Sequence, residues 1–417
     1  MRCEDRPIVS FVMATHNRRA VVAHTLANVA RCGLDQREFE IIVVDNKSND
    51  GTRETVREFT PHLIALDRNA GSCAKAHALP KVRGRHVVFL DDDSYPRAGS
   101  IQRMIRHFEQ DPGLAAAGFT VHLPDGRRES GALPSVFVGC GVGLRAEALQ
   151  QVGGLDSRFF MQAEEYDLAF RLAGAGWTVA VFDDLHVEHV KSEAARRSDR
   201  TTFYDVRNNL LVAARYLPSP YYGIYRADGL QRYRWLAERE GHRAAYRRGL
   251  WAGLLREPLD RWAFRRCRLT PAALERFYQI DAVRRRMQEL ARDSIRRAVF
   301  ATLGKNVFAF HRAAEQAGIE IMAVGDDYFS AERRFYRGAR LLPMAQALAL
   351  EADAVVISNM ASAQVDEAME RLVSETTIPV YGWYGTREAE ITAADESNSK
   401  SGVADETQET RPAVLTG

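Results

Sequence analysis

No stretch of the chain approaches the roughly 20 consecutive apolar residues that a membrane helix requires. Its first residues, MRCEDRPIVSFV, carry acids where an export signal has a basic start followed by an apolar core. Together these absences lead us to expect a cytoplasmic protein. Cysteine is scarce: the five at positions 3, 32, 73, 140 and 267 show neither CxxC nor metal-ligand spacing, which suits a reducing compartment. Neither GxGxxG nor GxxxxGK[ST] occurs, so neither a dinucleotide fingerprint nor a nucleoside-triphosphate loop is supported. Lysine is missing from residues 196–297. Roughly two dozen arginines and about half as many acids stand there, so the formal charge of +2 hides a strongly basic middle. The tail from Thr386 onward is acidic, has few apolar residues to bury, and is expected to be mobile.

What is present is a core-forming chain. With 417 residues and 46% hydrophobic content it can bury more than one domain. Apolar runs at 8–13, 39–44, 62–66 and 87–90 read as buried strands, separated by helical patterns at 19–32, after 52 and after 72. This alternation predicts a mostly parallel sheet with helices on both faces. The fourth run ends in Asp91, Asp92 and Asp93. In an open α/β sheet the carboxyl ends of the strands are where ligands bind. Adjacent carboxylates repel one another unless a cation lies between them, so the pattern suggests a Mg²⁺ or Mn²⁺ site for a diphosphate. The competing reading is an acidic turn that merely closes a strand. Three other strand ends carry polar tips, Thr15 to Arg18, Asp45 with Asn46, and Asn69 to Gly71, and all four tips are expected on one edge of the sheet.

A second acidic element is FFMQAEEYDLAFRL, which sets Glu164, Glu165 and Asp167 at the amino end of a helix with Leu168 and Leu172 on its apolar face. Acids favour a helix N-terminus through its dipole, so a purely structural role is the alternative. Beyond it, residues 177–189 read as a strand and 201–279 as Arg- and aromatic-rich helices. Strand–helix alternation restarts after 294.

In order and spacing, SFVMATHNR, FEIIVVDNKSNDGT, NAGSCAKAHAL, HVVFLDDD, GLRAEALQQVGGLDSRFFMQAEEYDLAFRLAGAGW and LHVEH resemble the inverting glycosyltransferases of family 2 with the GT-A fold. The resemblance covers about residues 7–215. It implies that Thr15, Asn17, Arg18, Asp45 and Asn69 hold the nucleotide of a diphosphate-sugar donor, UDP- or dTDP-linked, with Asp91 on the nucleoside side and Asp92 beside it. Asp93 falls at the last metal-binding position and His189 where the metal shell can be completed. Lys75 stands where many members carry Arg, and Ala76-His77 replaces a frequent Asn. Gly139, Cys140 and Gly141 resemble the acceptor-side strand, and Asp167 is expected to fix its helix or meet the acceptor. Inversion needs one carboxylate to deprotonate the acceptor hydroxyl. The family usually reads Glu-Asp at this point, so Glu165 is the candidate base and Glu164 the fallback.

The expected division is a GT-A domain over 1–200, a helical acceptor-side or membrane-proximal segment over 201–293, a small Rossmann-like α/β domain over 294–385, and a tail. That last domain is expected to serve a structural, oligomerising or small-ligand role. The acceptor is left open between a lipid-linked molecule and a small glycoside. Arg interleaved with Tyr, Trp and Leu suits peripheral contact with anionic lipid at the inner face of the membrane, and equally suits soluble packing helices. No nucleic-acid module accompanies the charge, so no nucleic-acid partner is expected. Two further readings stand beside enzymatic transfer. One is a catalytically idle subunit that keeps the nucleotide-sugar pocket, for which Glu in place of Asp is the supporting feature. The other is a nucleotidyltransferase, which the missing Gly-rich diphosphate loop argues against.

Overall fold

A computed structural model describes residues 6–190 and 198–383, so the acidic tail lies outside the described residues. Strands β1 (Val9–Thr15), β2 (Phe39–Asp45), β3 (Leu63–Ala65) and β4 (His86–Asp91) run parallel. With β5 (Ser94–Pro96), β6 (Leu114–His122), β7 (Arg128–Glu129), β8 (Gly141–Arg145) and β9 (Thr178–His189) they form a nine-stranded sheet, ordered β3-β2-β1-β4-β8-β6-β9-β5 with β7 on β6. Strand β8 is antiparallel to both neighbours, which makes the sheet mixed. Helices α1 (Arg19–Val29), α2 (Thr52–Phe59), α3 (Ser100–Gln110), α4 (Ala146–Val152) and α5 (Glu164–Gly174) cover it. Register aligns Thr15 with Asp45 and Ala14 with Asp91, so the polar tips do open on one edge.

Side chains alternate across this sheet with the two-residue period of a strand. Val9, Phe11 and Met13 join the apolar cluster that includes α1 and α3. Val12, Val44 and Phe89 join the other, which runs on through Leu168 and Phe170 of α5. The helix expected after residue 72 is a 3-10 helix, Ser72–Lys81, containing Pro80. Proline has no N–H to give an α-helical ladder, so the tighter turn prevails.

The basic middle is helical as expected. Helix α6 (Asp199–Tyr216) opens with a capping box in which Ser198 and Thr201 satisfy each other's backbone N–H. Helices α7 (Tyr221–Glu240), α8 (Arg243–Ala263), α9 (Pro271–Phe277) and α10 (Ile280–Arg292) follow. Two glycines let α8 lie against α6: a Cβ at Gly249 would stand 2.5 Å from the Phe203 carbonyl oxygen, and one at Gly253 2.6 Å from Leu210 Cδ1. Arg215, buried on α6, bonds Asp167, Asp156 and Asp260 at 2.9, 2.9 and 2.6 Å, joining α5, the loop before it and α8.

The remaining elements form a six-stranded sheet ordered β12-β13-β11-β10-β14-β15. Its strands are β10 (Arg297–Ala301), β11 (Glu320–Gly325), β12 (Phe335–Tyr336), β13 (Ala339–Leu342), β14 (Ala354–Ile357) and β15 (Val380–Tyr381), with α11 (Val307–Ala317), α12 (Met344–Leu348) and α13 (Ser362–Glu375) between them. Only the β12–β13 pairing is antiparallel. That hairpin was not expected from the sequence. This sheet packs on the first unit at several points: Arg128 N–H donates to Glu367 at 2.7 Å, and Lys305 Nζ donates to Tyr166 Oη at 3.0 Å.

Candidate active site

The edge is built first from backbone constraints. Asn17 takes a positive φ of 51° after β1; its N–H donates to Ser48 Oγ and its Oδ1 accepts from Asn49 N, each at 2.8 Å. Asp45 is fully buried, accepting from Ser48 N at 3.0 Å and Arg53 Nε at 2.6 Å. Asn46, adjacent to it, clamps the third tip: it accepts from Ala70 N at 2.9 Å and donates to Gly71 O at 3.0 Å. Asn69 Oδ1 accepts from Gly71 N at 2.8 Å. Gly71 must be glycine, because its φ is 69° and a Cβ would stand 2.1 Å from the Phe160 carbonyl oxygen.

The three aspartates have three environments. Asp92 is buried and turned into the fold, with Thr15 Oγ1 donating to it at 2.7 Å and Arg18 Nη1 at 2.8 Å. Burial lifts its carboxyl to about 6 against the pull of Arg18 and Thr15. Each oxygen thus has a donor, and Asp92 braces the first strand end. Asp93 is also buried, between Arg18 Nη2 at 2.8 Å and His189 Nε2 at 3.0 Å. Burial opposes its charge, yet His189 and Arg18 hold the carboxyl below its usual range. Burial likewise opposes the His189 imidazolium, but the neighbouring Asp93 and Cys140 push it up to about 11. Asp91 is the open one. Its side chain is 39% exposed and meets Lys75 Nζ at 2.6 Å.

Sequence reasoning grouped Asp93 with His189 as metal ligands, and the structure keeps them in contact. It adds that Asp91, Cys140 and His189 present one donor atom each within 4.8 Å of one another. Among the described residues, buried His189 Nδ1 has no hydrogen-bond partner. Carboxylate, imidazole and thiol donors at this separation fit a divalent ion. Lys75, expected at the donor, is buried; besides Asp91 it donates to Gly139 O at 2.9 Å. It ties the aspartate tip to the turn at Gly139, Cys140 and Gly141. Ser94 Oγ fixes that turn by donating to Cys140 O at 2.7 Å.

Facing this turn is the loop before α5. Phe160, Gln162 and Ala163 all take positive φ, at 66°, 68° and 64°. Such backbone is costly for non-glycine residues and persists only where the surroundings impose it. The imposing group is Asn208 of α6, whose Nδ2 donates to the carbonyls of Phe159, Met161 and Gln162 at 3.0, 2.8 and 2.7 Å. Arg207 donates to Arg158 O at 2.6 Å.

The loop delivers two glutamates with different fates. Glu164 is buried, accepts from Ser72 Oγ, and leaves Oε2 without a partner. Burial first and the neighbouring Glu165 second push its carboxyl up. Glu165 is half-buried, its carboxyl also raised by burial, and a Cβ on Gly139 would stand 3.1 Å from its Oε1. The chain of contacts from Glu165 to Gly139, Lys75 and Asp91 places both acidic elements in one cleft. Asp167 does not reach it. Fully buried, it accepts from Arg171 Nε at 2.9 Å, Arg215 Nη1 at 2.9 Å and Tyr216 Oη at 2.6 Å, so it fixes its helix and offers nothing to an acceptor.

Residues 10–152 match the profile described as Glycosyl transferase family 2, and residues 119–273 match Glycosyl transferase family group 2. The putative teichuronic acid biosynthesis glycosyltransferase TuaG of Bacillus subtilis is 26% identical over 156 residues, 32% of this chain and 60% of that protein. The UDP-Glc:alpha-D-GlcNAc-diphosphoundecaprenol beta-1,3-glucosyltransferase WfgD of Escherichia coli is 29% identical over 105 residues, 24% of this chain and 41% of that protein. A mannosyltransferase from Pyrobaculum calidifontis, solved with GDP-Man and Mn²⁺, superposes with a TM-score of 0.44 at 17% identity, covering 61% of this chain and 88% of that one. The chain thus spans less than two thirds of the length of these curated relatives. Between them, the two glycosyltransferase family 2 matches span residues 10–273, which carry the mixed α/β sheet and the first helices after it.

Proposed function

We propose that this protein moves a sugar from a UDP- or dTDP-linked donor to an acceptor hydroxyl with inversion, using Glu165 as the base. The observation that carries this reading is the contrast between the two glutamates. Glu165 accepts no hydrogen bond from another residue among the described residues and lies against the Cα of Gly139, where no side chain blocks it. Glu164 is spent on Ser72. Burial keeps Glu165 more basic than an ordinary carboxylate, which suits proton abstraction.

In the step, the acceptor oxygen attacks the anomeric carbon as its proton passes to Glu165. The bond from that carbon to the diphosphate oxygen breaks on the opposite face, and the nucleoside diphosphate leaves with the electron pair. Asp91 and His189, with Asp93 beside them, would hold Mg²⁺ or Mn²⁺, whose charge would offset that of the departing diphosphate. Asn17, Asp45 and Asn69 shape the nucleoside side of the cleft. Lys75 holds Asp91 at the cleft's floor.

Thermal unfolding with Mn²⁺ and each of UDP-, dTDP- and GDP-sugars tests the donor, since a ligand stabilises the fold it binds. A metal-dependent rise with a UDP- or dTDP-sugar is expected, and no rise with any donor overturns the reading. Glu165→Gln is expected to keep that rise and to abolish donor consumption. Binding without turnover in the wild type would instead support an idle binding subunit.

A further inference from the structure

Helix α8 carries an exposed apolar stripe that the transferase reading leaves unused. Trp251, Leu255, Leu259 and Trp262 are 65%, 76%, 61% and 68% exposed. At about 100° per residue these four fall within an arc of roughly 80° on the helix surface. The opposite face is committed, since Gly249 and Gly253 seat it against α6.

The charge around the stripe is of one sign. Arg243, Arg247, Arg248, Arg256, Arg265 and Arg266 are exposed on α8 and the turn after it. The two acids of the helix are buried: Glu257 accepts from Arg226 and Tyr222, and Asp260 from Arg215 and Arg256. Arg248 also approaches Asp199 of α6 at 3.6 Å, and Arg265 stacks over Trp262 at 4.9 Å. Arg243, Arg247 and Arg266 have no carboxylate partner among the described residues.

We infer that α8 is an interfacial helix that seats the protein on an anionic lipid bilayer, Trp251, Leu255, Leu259 and Trp262 entering the headgroup boundary and the arginines meeting lipid phosphates. Two observations select this occupant. A row of arginines beside large exposed apolar side chains is complementary to an anionic bilayer. A second copy of the same face would set arginines against arginines, with no acid exposed on the helix to answer them. Helix α8 packs on α6, whose Asn208 holds the loop bearing Glu165, so a seated α8 would put the acceptor side of the cleft one helix away from the lipid surface. The docking does not depend on the sugar-transfer reading and stands or falls separately.

The test is co-sedimentation of the full chain with vesicles of phosphatidylcholine alone or with added phosphatidylglycerol, at low and high salt. Binding to the anionic vesicles only, weakened by salt, is expected. The paired substitution Leu255→Glu and Trp262→Glu should weaken it at least about tenfold, the order expected from withdrawing two large apolar side chains. Because both positions are exposed, the melting temperature and its response to donor should not change. No binding to anionic vesicles, or binding undiminished in the double variant, overturns the inference. Self-association by light scattering, lost in the double variant without vesicle binding in the wild type, overturns it in favour of a second copy.

Discussion

Both sheets end a parallel strand in consecutive aspartates, three in the first and two in the second, and the two runs do different work. After β11, Asp326 accepts from the backbone N–H of Leu303 at 2.7 Å and of Tyr328 and Phe329 at 2.9 Å each, and Asp327 accepts from Met344 N at 2.8 Å. Those carboxylates stitch strand ends to the helices and turns that follow. After β4, no backbone N–H among the described residues donates to the carboxylates of Asp91, Asp92 or Asp93; their partners are the Thr15, Arg18, Lys75 and His189 side chains. At these two strand ends, the carboxylates satisfied by backbone amides stitch the scaffold, whereas Asp91 and Asp93, held by side chains, lie at the cleft. Strand followed by acids is therefore not a signal of function until its donors are known.

The largest expected effect lies in the first cleft. Glu165→Gln should lower kcat by roughly 10²–10⁴-fold, the usual worth of a general base, with donor-induced stabilisation retained; an unchanged kcat would assign the proton elsewhere. Next, Asp93→Asn should abolish the metal-dependent part of donor stabilisation, and Asp326→Ala should leave it intact while costing about 1–3 kcal/mol of stability through stranded amides. Equal donor responses in the two variants would erase the contrast between the sheets. Gly71→Ala should destabilise by about 1–3 kcal/mol, the range for strained backbone, and weaken donor binding because the tip is forced off Phe160; unchanged calorimetry would refute the close contact.

The last effect is one of pH. His86, stacked on Phe108 at 4.7 Å, is held down to about 4 by burial, then by Arg145 and Arg85. Its folded value lies below its unfolded one, so its contribution is complete above about pH 6.5 and is lost as pH falls toward 4. A decline of about 3 kcal/mol at most across that window is expected in denaturant titrations. His86→Gln should flatten it.

Much of the first sheet could be read from the chain because β1, β2 and β4 are buried on both faces and so write continuous apolar runs. The edge followed from their parallel register. The glutamates could be located but not ranked, since what separates them is Ser72, which reaches Glu164 from 92 residues away. Lys75 was placed at the donor because nothing local reveals that its ammonium is taken by Asp91 and Gly139. Asp167 looked like a site acid for the same reason, its arginine and tyrosine partners lying 48 and 49 residues on. The β12–β13 hairpin went unread because strands of two and four residues leave too little alternation to see.

Asn208 touches no group in the cleft, yet one amide nitrogen carries three carbonyls of the loop that aims both glutamates. A survey of variants filtered by nearness to substrate would pass it over. Any replacement unable to donate would release that loop from its unusual geometry, and the loss would register as poor chemistry in a protein whose ligands all still bind.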